Sequence, residues 1–360
     1  MKIVVNLKLI PSEVQEKNLH QTLERCNEAC NWLSRQALEH KIFGQFSLHH
    51  LGYSEMREKF GLSAQMAVRS IAKVADSYKA DRKALHVFSK WSAQPYDDRI
   101  FSFKGPDSVS LWTLSGREKI PFVCGEYQRK FLPFRKGEVD LLHVRKKWYI
   151  SLVCDVPEQE PEFSKEILGI DLGIVNIATD STGEVFSGKA IEKNRLWHQK
   201  RRERLQKKGT KAAKKRLKKL SGRQHRFQTW VNHNISKKLV LKAKRTRSGI
   251  AVEDLTGIRE EVTARKGQRN RLGNWSFNQF RRFLSYKSLM YGVSLVTVDP
   301  RNTSRTCPEC GCIDKKNRKS QESFSCIACG YSALADYVAA RNIAKVAVNR
   351  PEFSTRQKTG

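Results

Sequence analysis

Apolar and polar residues alternate over positions 3–10, placing Ile3, Val5, Leu7 and Leu9 on one face of a predicted strand. Pro11-Ser12 ends that strand and offers a helix N-cap. Leu19, Leu23, Cys26, Cys30 and Leu33 then recur at helical spacing to about residue 40, and a second amphipathic tract covers roughly 63–85. From about 86 to 156 the pattern changes to short runs rich in Val, Phe, Tyr and Trp, punctuated by Gly105-Pro106, Gly116, Pro121, Gly125 and Lys136-Gly137. This predicts a small β-domain, a barrel that the first strand joins, with the helical tract as an insertion. Pro157 to Pro161 reads as a linker, followed by strands Ile167–Asp171, Ile174–Thr179 and Val185–Ser187 with turns at Gly173 and Thr182-Gly183. Residues 248–255 form a further apolar strand. Ser276–Tyr291 is a helix whose Phe277, Phe280, Leu284 and Tyr291 stripe suits a core. Val293–Val298 is a strand stopped by Asp299-Pro300, a helix spans about 333–347, and residues 351–360 form a polar tail.

Charge adds a partner to this picture. The 360 residues, 39% of them hydrophobic, suffice for about two to four compact units. Sixty-eight Lys and Arg against thirty-six Asp and Glu leave +32, beyond what solubility asks, and the natural counter-surface is a polyphosphate. Between 192 and 247 only Glu192 and Glu203 face a dense run of Lys and Arg, interleaved with Trp197, Leu205, Leu217, Leu220, Phe227, Trp230, Val231 and Leu239. A solvated helical face is the simpler reading, but like charges at helical spacing repel, so an anionic partner would offset the strain. The N-terminus breaks its apolar run with Asn6 and Lys8 before a signal peptide can form, and no stretch approaches a spanning helix, so no membrane partner is expected. The nine cysteines are an odd set, four of them in Cys-x-x-Cys pairs, which suits a reducing, cytosolic compartment.

Two constellations carry chemistry. Cys307-Pro-Glu-Cys310-Gly311 and, with fifteen residues between Cys310 and Cys326, Cys326-Ile-Ala-Cys329-Gly330 have the spacing of two knuckles that close a tetrahedral thiolate site for one structural Zn²⁺. Cys312 is a weaker substitute ligand because it is offset from the knuckle, and Cys26 and Cys30, four apart with no further ligand near, read as core. The second constellation is acidic. Asp171 ends the apolar run Ile167-Leu168-Gly169-Ile170, and Glu253 ends Gly249-Ile250-Ala251-Val252, with Asp254 on the opposite face of the pleat. Desolvating such a carboxylate without a partner costs several kcal/mol, and a bound cation is one remedy. Asp336 shares a helical face with Ala339, Ala340 and Ile343, whose small alanines let the helix approach a sheet closely. Taken singly, Asp171 also fits a turn cap and Asp336 a first-turn acid favoured by the helix dipole. Together, carboxylates from two strands and a helix suit an RNase H-like site with two Mg²⁺ ions about 4 Å apart that stabilise an in-line phosphoryl displacement by water.

The order strand-Asp171, basic helical insertion, Val252-Glu253-Asp254-Leu255, cysteine knuckles and a helix bearing Asp336 resembles the TnpB family of transposon-encoded RNA-guided nucleases. The run from Asp299-Pro300 through Thr303-Ser304 and Thr306 to Cys307-Pro-Glu-Cys310-Gly311, with Ala339-Ala340-Arg341-Asn342-Ile343, is similar to that family's zinc ribbon and third RuvC motif; Leu9-Ile10-Pro11-Ser12-Glu13-Val14-Gln15 is similar to its opening. The resemblance covers nearly the whole chain and implies an α+β multidomain protein. Its parts would be a wedge-like β-barrel (1–10 and 86–160), a helical recognition insertion (11–85), a RuvC-like nuclease domain (161–191, 248–302 and 333–350), a basic helical insertion (192–247) and a zinc ribbon (303–332). It further implies a guide RNA, a double-stranded DNA target cut beside a short motif, Mg²⁺ held by Asp171, Glu253 and Asp336, Zn²⁺ held by Cys307, Cys310, Cys326 and Cys329, and action on DNA in a prokaryotic cytoplasm, with a monomer expected. Many members carry Asp-x-Asn-Ala-Ala where this chain has Asp336-Tyr337-Val338-Ala339-Ala340, so an amide at position 338 is lost while the carboxylate remains. Three alternatives are an RNA-guided repressor that no longer cuts, a compact type V CRISPR effector, and a DDE-type recombinase. The intact acidic set argues against the first and the ribbon before Asp336 against the last.

Overall fold

The computed structural model describes residues 1–161, 166–254, 277–320 and 322–348; the expected polar tail, Leu255 and the Ser276 helix start lie outside them. The chain divides into two compact units, Met1–Val156 and Pro157–Gly360. Among the described residues no helix is long and apolar enough to cross a membrane.

The first unit is built on a seven-stranded antiparallel sheet. Its strands are β1 (Lys2–Leu9), β2 (Gln94–Tyr96), β3 (Phe101–Phe103), β4 (Ser108–Thr113), β5 (Gly116–Val123), β6 (Arg135–Val144) and β7 (Lys147–Asp155), in the order β2-β6-β7-β1-β5-β4-β3. The alternation in β1 is realised: Val5, Leu7 and Leu9 are buried while Val4 and Asn6 are exposed. The two edge strands β2 and β3 are neighbours in sequence, and the Tyr96 hydroxyl donates to the Trp112 carbonyl of β4 at 3.0 Å, so the sheet is nearly closed on itself. Between β1 and β2 run α1 (Glu13–Glu39), α2 (Gln45–Phe60) and α3 (Ala64–Ala80). Ser12 caps α1 in a reciprocal box with Gln15, and Leu19, Leu23, Cys26, Cys30, Leu33 and Ala37 form its buried stripe. The sequence pattern did not anticipate α2. Its buried face is only Leu48, Gly52 and Met56, and a Cβ at Gly52 would stand 2.5 Å from Leu33 Cδ1, so the contact depends on a residue with no side chain. A one-turn helix α4 (Glu126–Arg129) precedes β6.

The second unit contains a five-stranded sheet of β8 (Ile167–Asp171), β9 (Asn176–Asp180), β10 (Val185–Ser187), β11 (Gly249–Glu253) and β12 (Leu295–Val298), ordered β10-β9-β8-β11-β12. β8, β11 and β12 run parallel, and β9 and β10 antiparallel to their neighbours. Three basic helices, α5 (Lys189–Lys208), α6 (Lys211–Leu220) and α7 (Arg223–Arg245), lie between β10 and β11; α8 (Phe277–Tyr291) precedes β12. Alternation along β11 sends Ile250 and Val252 into the core with Leu239, Val240 and Ala243 of α7 and Phe280 and Leu284 of α8. Ala251 points to the other face, onto Ile343 and Ala347 of α9 (Ala335–Val348). Each fully buried branched aliphatic side chain here contributes about 1.5–3 kcal/mol. A short hairpin, β13 (Ser323–Ser325) and β14 (Ser332–Leu334), leads directly into α9.

Candidate active site

The parallel pairing of β8 and β11, registered through Ile170↔Val252, brings Asp171 and Glu253 to the same end of adjacent strands. Asp336 enters from the first turn of α9. That helix can lie close because β8 carries glycine beneath it: a Cβ on Gly169 would sit 2.1 Å from the Ala340 carbonyl oxygen and 2.6 Å from the Ala344 nitrogen. Burial pushes the Asp171 carboxyl up to about 8, with Glu253 and Asp336 adding like charge and the Arg318 guanidinium opposing them. Glu253 is likewise raised by burial, against a hydrogen bond from Thr303 and the charge of Arg318. The three residues expected from sequence therefore interact in one place.

The neighbours fix orientation. The Thr303 hydroxyl lies 2.5 Å from Glu253 Oε1, and Asn342 Nδ2 of α9 donates to the Thr303 and Thr306 carbonyls at 2.7 Å each. Asn176 Nδ2 donates to Asp336 Oδ2 at 2.9 Å. Asp254 turns away to Arg281, 2.6 Å from its Nη1. Thr303, Asn176 and Arg318 carried no assigned role in the sequence reading. Thr303 and Asn342 stand inside the two runs that carry the resemblance, whereas Asn176 and Asp336 are 160 residues apart and no local pattern links them.

Four sulfurs converge at the second constellation. The Sγ atoms of Cys307, Cys310, Cys326 and Cys329 all lie within 4.8 Å of one another, with Cys307–Cys329 at 3.6 Å and Cys310–Cys326 at 3.5 Å. A tetrahedral zinc–thiolate site has sulfur–sulfur edges of about 3.8 Å, so the set fits the metal. Gly311 and Gly330 adopt left-handed backbones, φ 75° and 72°, as the knuckle turns require. Cys312 contributes its carbonyl, which accepts from the Cys307 amide at 2.9 Å, rather than its thiol. Buried Asn317 joins the knuckles: its amide donates to the carbonyls of Arg305 and Cys312, and its oxygen accepts from the Ile327 amide at 2.9 Å. Val338 is buried with Cys307, Phe324, Cys326 and Ala335, so the position where an amide is lost serves packing between this module and α9. Cys26 and Cys30 are fully buried on α1 as core residues, and burial pushes the Cys26 thiol up to about 12.

Residues 151–258 match a family model described as a probable transposase, and residues 277–343 one described as the Cas12f1-like TNB domain. The chain is 30% identical over 274 residues to the TnpB-like protein MJ0751 of Methanocaldococcus jannaschii, covering 72% of this chain and 98% of that relative. The chain belongs to the TnpB family. It is also 35% identical over 218 residues to the CRISPR-associated endodeoxyribonuclease Cas12f1 of Sulfoacidibacillus thermotolerans, covering 56% of this chain but only 50% of that relative's length. A solved Cas12f1–sgRNA–target DNA complex shares the α+β multidomain fold, with a TM-score of 0.60 at 17% identity over 92% of this chain and 83% of that one. The nearly closed barrel sheet and the four-cysteine cluster are consistent with what the sequence resemblance implies.

Proposed function

We propose that this TnpB chain is an RNA-guided DNA endonuclease, encoded with a transposable element, that cuts double-stranded DNA beside a short motif at a single centre formed by Asp171, Glu253 and Asp336. The observation that carries this is Asp171, held up to about 8 by burial and by two further carboxylates at the ends of β8, β11 and α9. A folded protein keeps such a concentration of like charge where an external cation neutralises it. The strand order β10-β9-β8-β11-β12, three antiparallel strands followed by two parallel ones, is that of an RNase H-like core and supports a RuvC-like assignment for 161–191, 248–302 and 333–350. The remaining assignments follow the same plan: a wedge of 1–10 and 86–160, a recognition insertion of 11–85, a basic insertion of 192–247 and a zinc ribbon of 303–332.

The three carboxylates would hold Mg²⁺, which supplies water activation and charge neutralisation at the scissile phosphate. Thr303 holds Glu253 and Asn176 holds Asp336 in the orientation the ions need. Arg318, close enough to lower both Asp171 and Glu253, offers a cation to the phosphate from the ribbon side. The four thiolates would hold Zn²⁺ as a structural ion, and because β14 runs straight into α9 the ribbon sets where Asp336 enters. Helices α5 to α7 present exposed Trp197 and Trp230 among their Lys and Arg, with Arg201 stacked 5.2 Å over Trp197, a surface suited to phosphate backbones and bases of guide RNA and its heteroduplex.

Purified complex carrying its co-purifying RNA should cut matching DNA in Mg²⁺, fail with a scrambled guide segment, and lose cutting with Asp171→Ala. Cutting that persists in Asp171→Ala would overturn the assignment of the centre. Strand transfer by protein alone would overturn the RNA-guided reading in favour of a recombinase.

A further inference from the structure

The first unit holds a second set of metal-ligating side chains, remote in sequence from both constellations above. Glu16 and His20 stand one turn apart on the same face of α1. His143, near the end of β6, faces them across from its strand partner Trp148. The His20 and His143 rings meet edge to face at 4.6 Å, and one ligand atom from each of Glu16, His20 and His143 lies within 4.8 Å of the others. Trp91 and Trp148 wall the cluster, their rings 4.6 Å and 4.8 Å from His20. All three ligand residues are half-buried, so an ion can reach them.

Aromatic packing explains why rings gather here but not what their nitrogens do. His20 Nδ1 and His143 Nε2 are both buried without a hydrogen-bond partner. A buried polar atom left unsatisfied costs about 1–3 kcal/mol. Glu16 does not remove that cost, since its Oε1 faces the other ring nitrogen of His20, 3.6 Å from Nε2, and leaves Nδ1 unsatisfied.

We propose that Glu16, His20 and His143 form a transition-metal site that fastens α1 to the β6–β7 hairpin. Two imidazoles and one carboxylate form a borderline donor set that suits Zn²⁺, Co²⁺ or Ni²⁺ over Mg²⁺, and three protein ligands leave a position for water. Such an ion would satisfy nitrogens left without a hydrogen-bond partner among the described residues, and would tie the helical insertion to the barrel at a point where their chain positions differ by more than a hundred residues.

RNA-free full-length protein, stripped with chelator, is loaded with Zn²⁺ in excess Mg²⁺ that occupies the carboxylate centre, desalted, and its zinc measured by elemental analysis. Wild type should hold about one zinc per chain more than His20→Gln or His143→Gln. With Co²⁺ in place of zinc, the thiolate-to-cobalt absorption of the cysteine site should persist in both variants. Glu16→Gln alters a half-exposed side chain on a helix surface and should fold normally while weakening Zn²⁺ binding at this site by about tenfold or more. Equal zinc content in wild type and the histidine variants, with unchanged affinity in Glu16→Gln, would reduce the cluster to aromatic packing. None of these readouts depends on DNA cleavage.

Discussion

Two acidic residues on neighbouring strands of one sheet meet opposite fates. Across β8 and β9, Ile170 pairs with Asp180 and Asp171 with Thr179, so the two carboxylates belong to adjacent rungs. Asp180 is fully buried, and burial alone would raise it, yet its pKa is lowered because the protein satisfies it internally. Lys242 reaches it from α7, the Thr182 hydroxyl and amide lie at 2.7 Å and 3.0 Å, and the Glu184 amide at 3.0 Å. Asp171 is instead raised to about 8, first by burial and then by Glu253 and Asp336, with the Arg318 guanidinium opposing them. The contrast separates an acid satisfied by the fold from one held among like charges: Asp180 is fully buried and partnered by Lys242, whereas half-buried Asp171 stands beside two further carboxylates, the setting in which we propose that a cation binds.

The sharpest way to break this contrast is to neutralise each acid's environment in turn. Asp171→Asn should reduce guided DNA cleavage by about a thousandfold or more while leaving metal-free thermal stability equal or higher, because it removes repulsion. Lys242→Met should do the reverse. It strands Asp180 as a buried, uncompensated charge, so urea unfolding should show a loss of about 3–5 kcal/mol, with cleavage per folded molecule unchanged.

A smaller effect concerns pH. A carboxyl whose folded pKa is raised contributes stability that is full below its unfolded value, here 3.8, and is lost as pH climbs to about 8. Metal-free wild type should therefore lose stability between pH 6 and 8, by no more than about 3 kcal/mol at 1.36 kcal/mol per unit, and Asp171→Asn should lose less over the same window. Identical pH profiles would show that Asp171 is not the group that titrates. The smallest effect is expected for Thr303→Val, which removes the hydroxyl beside Glu253: about tenfold in cleavage rate, with stability changed by about 1 kcal/mol.

Much of this was legible in the sequence where the signal is local. The alternation in β1, the Ser12 cap of α1 and the two Cys-x-x-Cys turns each need only a few consecutive residues to declare themselves. The three acids were legible as charges at the ends of apolar runs, although only their shared order, not any one of them, pointed to a common site. What stayed hidden depends on distant partners. Lys242 and Asp180 are 62 residues apart, Asn176 and Asp336 160, and nothing in either neighbourhood marks them as pairs. Helix α2 stayed hidden because it packs through Gly52, which leaves no apolar stripe to read. The strand expected at Ile174–Thr179 forms instead over Asn176–Asp180, and that shift is what brings Asp180 into the sheet and exposes the contrast with Asp171.

The central proposal is that Asp171, raised by burial and by Glu253 and Asp336 against the opposing Arg318 guanidinium, holds a divalent cation together with those two carboxylates. The most direct test is the change in melting temperature of chelator-treated protein on adding Mg²⁺ at pH 8, compared among wild type, Lys242→Met and Asp171→Asn. The account predicts that Mg²⁺ raises the melting temperature of wild type and of Lys242→Met by similar amounts and leaves Asp171→Asn nearly unmoved. An equal rise in Asp171→Asn would contradict it.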